Sequence, residues 1–242
     1  MNEGGPPAHL VHPDRVSRPS QDTPSARTPR TWYEGRTSLD LAHGEGWAWI
    51  GLRSGDGLNR LHSDLLAALD HLFIELRWVG TRRVALSGAG WMTGLGHHFS
   101  AGADLHEVGG LDPVSAEPFA RRGQRVMAHL LWSGWNTLTV ISGVAMGGGC
   151  DLALHGQERW AVAAGPEGRG GLRLAHPAAK HGILTGFGGT VRLPDLLGPA
   201  GADRLFRRFE TWDADAALAA GAVQRILPPG DVRLALEDWL LQ

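Results

Sequence analysis

Along most of this chain, short apolar runs alternate with stretches whose apolar residues recur at helical spacing, and glycines sit at the joints. The first such run, Trp47-Ala48-Trp49-Ile50-Gly51-Leu52, reads as a buried strand, and Ser54-Gly55-Asp56-Gly57 supplies a turn after it. Leu65, Leu69, Leu72, Phe73 and Leu76 then mark one face of a helix, with Ser63 expected as N-cap and Asp64 in the first turn. Arg83 to Ser87 reads as a second strand, followed by a long glycine-bearing loop from Gly88 to Gly102. Pro113 after Asp112 suits a helix start, and Phe119, Val126, Met127, Leu130 and Leu131 carry that helix to about Trp132. Thr137 to Val144 reads as a third strand that runs into Gly147-Gly148-Gly149, with a helix opening near Cys150. Arg159 to Ala164 reads as a fourth strand, ahead of the glycine-rich segment Gly165 to Gly171. Near the end come a helix from Asp213 to Ala220 closed by Gly221, a strand from Val223 to Leu227 and a helix from Asp231 to Leu241. Strands alternating with helices predict an α/β fold.

With 242 residues, 43% of them hydrophobic, the chain is long enough to bury one sizeable core. Residues 1–31 differ: Pro6, Pro7, Pro13, Pro19, Pro24 and Pro29 lie among Ser, Thr and Arg, which predicts a flexible arm ahead of one domain over 32–242. Glu3, Asp14 and Asp22 argue against an amphipathic import helix there. A formal charge of −2 gives no broad field for nucleic acid or for an anionic membrane surface. The single cysteine, Cys150, rules out an intramolecular disulfide and a cysteine-cluster metal site. No run reaches the roughly 18 apolar residues of a membrane span, and no basic-then-apolar leader opens the sequence. A cytoplasmic location, with neither membrane nor nucleic acid as partner, is the expectation.

Chemistry concentrates in two loops. Phe99-Ser100-Ala101-Gly102-Ala103-Asp104-Leu105 and Gly143-Val144-Ala145-Met146-Gly147-Gly148-Gly149-Cys150-Asp151-Leu152 each place backbone amides where a strand gives way to a helix. Glycines there let the main chain approach a ligand closely, and the unpaired N–H groups at a helix start favour negative charge. Such a pair can hold an oxyanion. Ser87-Gly88-Ala89-Gly90-Trp91-Met92-Thr93-Gly94 has a spacing seen in dinucleotide-binding turns, but no clean helix follows it. His97 and His98 are adjacent and so point apart, and no further ligand cluster accompanies them, which argues against a metal site.

Together and in this order, the two loops resemble the crotonase (enoyl-CoA hydratase/isomerase) superfamily. The likeness continues through Pro177-Ala178-Ala179-Lys180-His181-Gly182-Ile183-Leu184-Thr185-Gly186-Phe187-Gly188-Gly189-Thr190-Val191-Arg192-Leu193-Pro194, and then through a helix ending in Ala220-Gly221-Ala222-Val223. It covers about Trp47 to Pro229. The resemblance implies a spiral of ββα repeats of the ClpP/crotonase kind, assembled as a homotrimer or hexamer. It further implies an acyl-CoA thioester as substrate in fatty acid metabolism, with CoA carried by that substrate and no separate cofactor. By the same resemblance, the amides of Ala101 and Gly148 would form the oxyanion hole. Ala103, Asp104 and Leu105 would line the CoA groove, and Gly147, Ala178 and Gly186 would also bind the substrate.

Hydratases of this superfamily use two glutamates. At the first position this chain has Asp151, which keeps a carboxylate on a shorter stem; as a structural residue it would simply complement a helix dipole. At the second, one residue after Pro177, it has Ala178, which moves no proton. Glu167, in the Gly165 to Gly171 insertion, is a displaced substitute that the gapless match from Leu174 to Gly182 disfavours. His176, Lys180, His181, His97 and His98 are further titratable residues nearby, each read first as a surface or packing residue, and Cys150 as a small buried one. The chain ends at Gln242, where members of the family continue through further helices, so a shortened C-terminal region is expected. Isomerisation, or another enolate reaction needing one base, suits this set better than hydration. A paralogue that binds acyl-CoA or acts in assembly without turnover is the alternative.

Overall fold

The computed structural model describes residues 29–90, 98–168 and 170–242. The chain runs through β1 (Arg30–Tyr33), β2 (Thr37–Gly44), β3 (Trp47–Ser54), α1 (Ser63–Trp78) and β4 (Arg83–Gly88), then α2 (Leu105–Gly109), α3 (Pro113–Trp132), β5 (Asn136–Ile141), β6 (Val144–Met146) and α4 (Gly148–Leu154). It continues through β7 (Glu158–Val162), β8 (Arg173–Ala175), α5 (Gly189–Phe206), β9 (Thr211–Trp212), α6 (Ala214–Ala219), β10 (Arg225–Leu227) and α7 (Val232–Leu241). The fold is α/β, as the alternating pattern predicts. A seven-stranded sheet has the order β1-β2-β3-β4-β5-β7-β10, and a three-stranded sheet the order β6-β8-β9. β1, β2 and β3 pair antiparallel; from β3 onward the large sheet is parallel.

Successive turns of the chain repeat one path. β5 in the large sheet leads to β6 in the small sheet and then to α4; β7 leads to β8 and then to α5. β4 opens a related turn, because the loop after it forms a parallel bridge from Ser100 to Ala145 of β6 before α2 and α3. Stacking these turns aligns β4, β5 and β7 on one side and Ser100, β6 and β8 on the other, so the two glycine loops become neighbours.

Strand alternation divides the interior in two. Ala48, Ile50, Leu52, Val84 and Leu86 point into the larger core with the stripe of α1, whose Leu65, Leu69, Leu72, Phe73 and Leu76 are fully buried. Each such side chain contributes about 1.5–3 kcal/mol. Trp47, Trp49, Ala85, Leu138, Val140, Trp160 and Val162 point the other way and are covered by Val232, Leu236, Trp239 and Leu240 of α7. Thr137 and Thr139 sit on the larger-core side, where their hydroxyls donate to the Leu130 and Ala153 carbonyls, both 2.7 Å away.

Several boundaries move. Residues 1–28 lie outside the described residues, and Arg30 and Thr31, placed in the arm by composition, open β1. The N-cap of α1 is His62, with Ser63 as the first helical residue. The single strand expected from Thr137 to Val144 breaks after Ile141, because Gly143 at φ +53° turns the chain out of one sheet and into the other. α4 opens at Gly148, two residues before Cys150, and α7 at Val232. β7 stops at Val162 and β10 starts at Arg225, so both are shorter than their apolar runs suggest. Asp112 caps α3 in a reciprocal box with Ser115. Among the described residues, no helix is long and apolar enough to cross a membrane.

Candidate active site

The first glycine loop is fixed by its own amides. Phe99 and Ser100 donate to the Val144 carbonyl at 3.1 and 3.0 Å, Ala101 to the Leu58 carbonyl at 2.7 Å, Gly102 to Ser100 Oγ at 3.1 Å, and Asp104 to the Leu61 carbonyl at 2.9 Å. Ala103 sits within this row, and its N–H has no acceptor among the described residues. The expectation for Ala101 is therefore corrected: its amide is held by Leu58, and the unengaged donor of the loop belongs to Ala103.

The second loop supplies its counterpart. Met146 donates to the Ser100 carbonyl at 3.0 Å and Gly147 to the Ala175 carbonyl at 3.0 Å, whereas the N–H of Gly148, first residue of α4, has no acceptor among the described residues. The two loops touch at their glycines. A Cβ on Gly102, whose φ is +96°, would lie 2.4 Å from the Met146 carbonyl oxygen and 3.2 Å from the Gly148 nitrogen. A Cβ on Gly148 would lie 3.5 Å from the Ala103 nitrogen. Only glycine at 102 lets these two donors come together.

Both donors line a cavity of about 340 Å³ whose walls are mainly apolar, including Leu105, Val108, Phe119, Met146, Leu184 and Phe187. Of the other residues expected at the site, Gly147, Ala178 and Gly186 also line it. Asp104 does not. Its carboxylate accepts from the His106 and Glu107 amides to cap α2 and pairs with Arg36 Nη1 at 2.7 Å. Burial pushes the Asp104 carboxyl pKa up, but those two amides and Arg36 outweigh it and hold the group below its ordinary value.

Asp151 is also absent from the cavity wall. Fully buried, its Oδ1 is 3.2 Å from His176 Nε2, and its Oδ2 accepts a hydrogen bond from the Thr185 hydroxyl. A Cβ on Gly189 would fall 1.9 Å from Asp151 Oδ1, so the glycine at the start of α5 makes room for this carboxylate. His176 and Thr185, which bond Asp151, are themselves cavity residues. Of the two expectations for His176, surface or packing, the structure gives the second: its side chain is 1% exposed and packs on Phe206 with ring centroids 4.6 Å apart, and it also bonds a buried carboxylate. Nothing in its sequence position marks it; the contact with Asp151, 25 residues earlier, makes it a site residue.

The remaining titratable residues do other work. His98 Nδ1 accepts from the Val144 amide at 3.1 Å, while His97 lies outside the described residues, as does Trp91 to Gly94 of the dinucleotide-like turn. Lys180 stacks over Phe209 at 4.9 Å. The segment carrying Glu167 forms a short 3₁₀ turn, Pro166–Gly168. Cys150 is fully buried, and burial, with the nearby Asp151 charge, pushes its thiol pKa well up, which leaves it inert as a nucleophile. Arg192 donates to the Leu154 carbonyl at 3.0 Å and so closes the C-terminal end of α4.

Two adjacent unengaged amides at an apolar cavity can hold an oxygen that gains negative charge, and the buried Asp–His pair beside them can handle a proton. A family model described as enoyl-CoA hydratase/isomerase matches residues 59–239. The chain belongs to this family. As a member of the crotonase superfamily, it is 31% identical over 176 residues to a short-chain-enoyl-CoA hydratase from Clostridium acetobutylicum, covering 72% of this chain and 63% of that protein. It is 33% identical over 134 residues to a crotonyl-CoA hydratase from Syntrophomonas wolfei, covering 55% and 49%. The chain thus spans roughly half to two thirds of the length of these curated relatives. Among solved structures it is similar to Pseudomonas aeruginosa DspI, with a TM-score of 0.73 at 29% identity over 84% of this chain and 73% of that one. An enoyl-CoA hydratase from Thermoplasma volcanium aligns with a TM-score of 0.73 at 25% identity over 84% and 77%. The crotonase spiral expected from the four motifs is the fold of this chain.

Proposed function

We propose that the cavity binds the acyl end of an acyl-CoA thioester and stabilises the enolate formed when a proton leaves the carbon next to the carbonyl. One observation carries this reading: the Ala103 and Gly148 N–H groups are unengaged, adjacent and directed by two loops that glycine alone allows to meet. Donors preset toward developing charge contribute about 3 kcal/mol each to lowering such a barrier. The apolar wall suits a hydrocarbon acyl group. Ala178, in the position where hydratases of the superfamily carry their second glutamate, leaves no carboxylate there to activate water, so movement of a double bond is the reaction of choice over hydration. CoA belongs to the substrate, and no further cofactor takes part. A homotrimer or hexamer in the cytoplasm is the proposed setting.

The test is a panel of enoyl-CoA thioesters assayed for isomerisation and for hydration, beside calorimetric titration of a non-hydrolysable acyl-CoA analogue. Binding with isomerase turnover supports the proposal. Binding without any turnover would favour a second reading, a paralogue that holds acyl-CoA without chemistry, which Ala178 also motivates. Absence of binding would end both.

A further inference from the structure

The side of the cavity that must move a proton carries a group for which Ala178 and the screened Asp151 leave an opening. His176 follows Ala175 out of β8, and the Ala175 carbonyl holds the Gly147 amide, so the imidazole stands beside the loop that carries the Gly148 N–H. It forms part of the cavity wall, and its side chain is 1% exposed. Nε2 is 3.2 Å from Asp151 Oδ1, while Nδ1 is buried with no hydrogen-bond partner among the described residues. Asp151 already accepts from the Thr185 hydroxyl, and an imidazole whose Nε2 donates to Oδ1 keeps a lone pair on Nδ1. A buried acceptor in that state is costly unless a donor arrives.

We infer that His176 is the proton carrier of the site, its Nδ1 acting as base toward the bound thioester and Asp151 steadying the imidazolium that results. This rests on the acyl-thioester reading given above. With a β,γ-unsaturated acyl-CoA, Nδ1 takes a proton from Cα, and the C–H electron pair enters the thioester to give a dienolate whose oxygen meets the Ala103 and Gly148 amides. The Cβ=Cγ pair then captures the same proton from His176 at Cγ, the enolate pair becomes the Cα=Cβ bond and the carbonyl re-forms. One C–H bond breaks, one forms, and no oxidant, reductant or second reactant is consumed.

The experiment follows α-proton exchange of butanoyl-CoA in deuterium oxide and isomerisation of 3-enoyl-CoA, for the wild type and for His176→Gln. Glutamine offers an amide N–H to Asp151 in place of Nε2 but has no basic nitrogen. Both rates should fall about 100- to 10,000-fold, with affinity for a butanoyl-CoA analogue and the unfolding temperature essentially unchanged. Wild-type rates in His176→Gln, together with losses in His176→Ala, would reduce His176 to a positioning residue for Asp151 and overturn the inference. A wild type that binds the analogue but neither exchanges nor isomerises, or that fails to bind, would overturn the thioester reading and the base with it, a result distinct from an active His176→Gln. Should that variant not fold, ¹⁵N NMR of imidazole-labelled wild type decides: a protonated Nε2 and a bare Nδ1 that responds to the analogue support the inference, and a protonated or unresponsive Nδ1 overturns it.

Discussion

Two kinds of chemistry meet at the cavity. One set consists of main-chain N–H donors, Ala103 and Gly148, placed by where two loops run; the other consists of side chains, His176 and Thr185 in the wall and the buried Asp151 bonded to both, with Ala178 among the wall residues. A backbone donor survives any substitution that leaves the loop in place, so the amide side depends on Gly102 and Gly149, where a Cβ would come within 2.4 and 2.2 Å of a facing carbonyl oxygen. The side-chain half has no such protection, since one codon exchanges a carboxylate for a methyl group. Conserving the fold thus preserves the place where charge is held but leaves open how a proton is moved.

Among substitutions other than those at His176, removing a backbone donor should produce the largest effect. Gly148 is the first residue of α4, a position that accepts proline, so Gly148→Pro removes the N–H while keeping the helix, with the Phe187 ring moving aside from a Cβ that would lie 2.9 Å away. Isomerase kcat should fall about 100- to 1,000-fold. Circular dichroism confirms that the fold is kept, and undiminished turnover would remove Gly148 from the anion site. Next comes the opposite manipulation on the side-chain half. Ala178→Glu returns a carboxylate to the wall and should raise hydration of a short enoyl-CoA by about tenfold or more, read as kcat/KM across pH. A folded variant with no gain at any pH would place Ala178 away from the hydratase position.

A smaller and purely structural effect is expected at Gly189. Gly189→Ala puts a methyl group against Asp151 Oδ1, displacing the carboxylate from His176 and Thr185; chemical denaturation should show a loss of about 1–3 kcal/mol, with analogue binding through the amides retained. The smallest belongs to Asp104, outside the cavity. Because its folded pKa is lowered, the group stabilises the fold above the ordinary carboxylate range and loses that contribution as pH falls through its folded value. Asp104→Ala should cost about 0.5–2 kcal/mol at neutral pH and less on acidification, with isomerase kcat unaltered.

What the sequence made legible follows the same division. Trp47 to Leu52 and the stripe on α1 are visible because one face of each is continuously apolar. β2 is not, since Asp40 is buried within it and finds its partners on the neighbouring strands, Arg53 at 2.8 Å and the Thr31 hydroxyl at 3.2 Å. α5 is masked by Pro194, Pro199 and the non-helical Gly198, which joins two helical pieces at a kink. The glycine loops announce themselves by composition, but which amide is unengaged depends on Leu58, a partner more than forty positions away from Ala101. His176 is likewise ordinary in sequence and becomes a site residue through its contact with Asp151.

On the reading proposed above, the amides polarise a thioester carbonyl independently of the side chains that move the proton. Infrared difference spectroscopy of a bound acyl-CoA analogue labelled with ¹³C at the thioester carbonyl measures this directly. The carbonyl stretch should drop to the same lower frequency in wild type and in His176→Gln, and should return toward the free value in Gly148→Pro. A bound carbonyl that absorbs at its free frequency in the wild type would contradict the account.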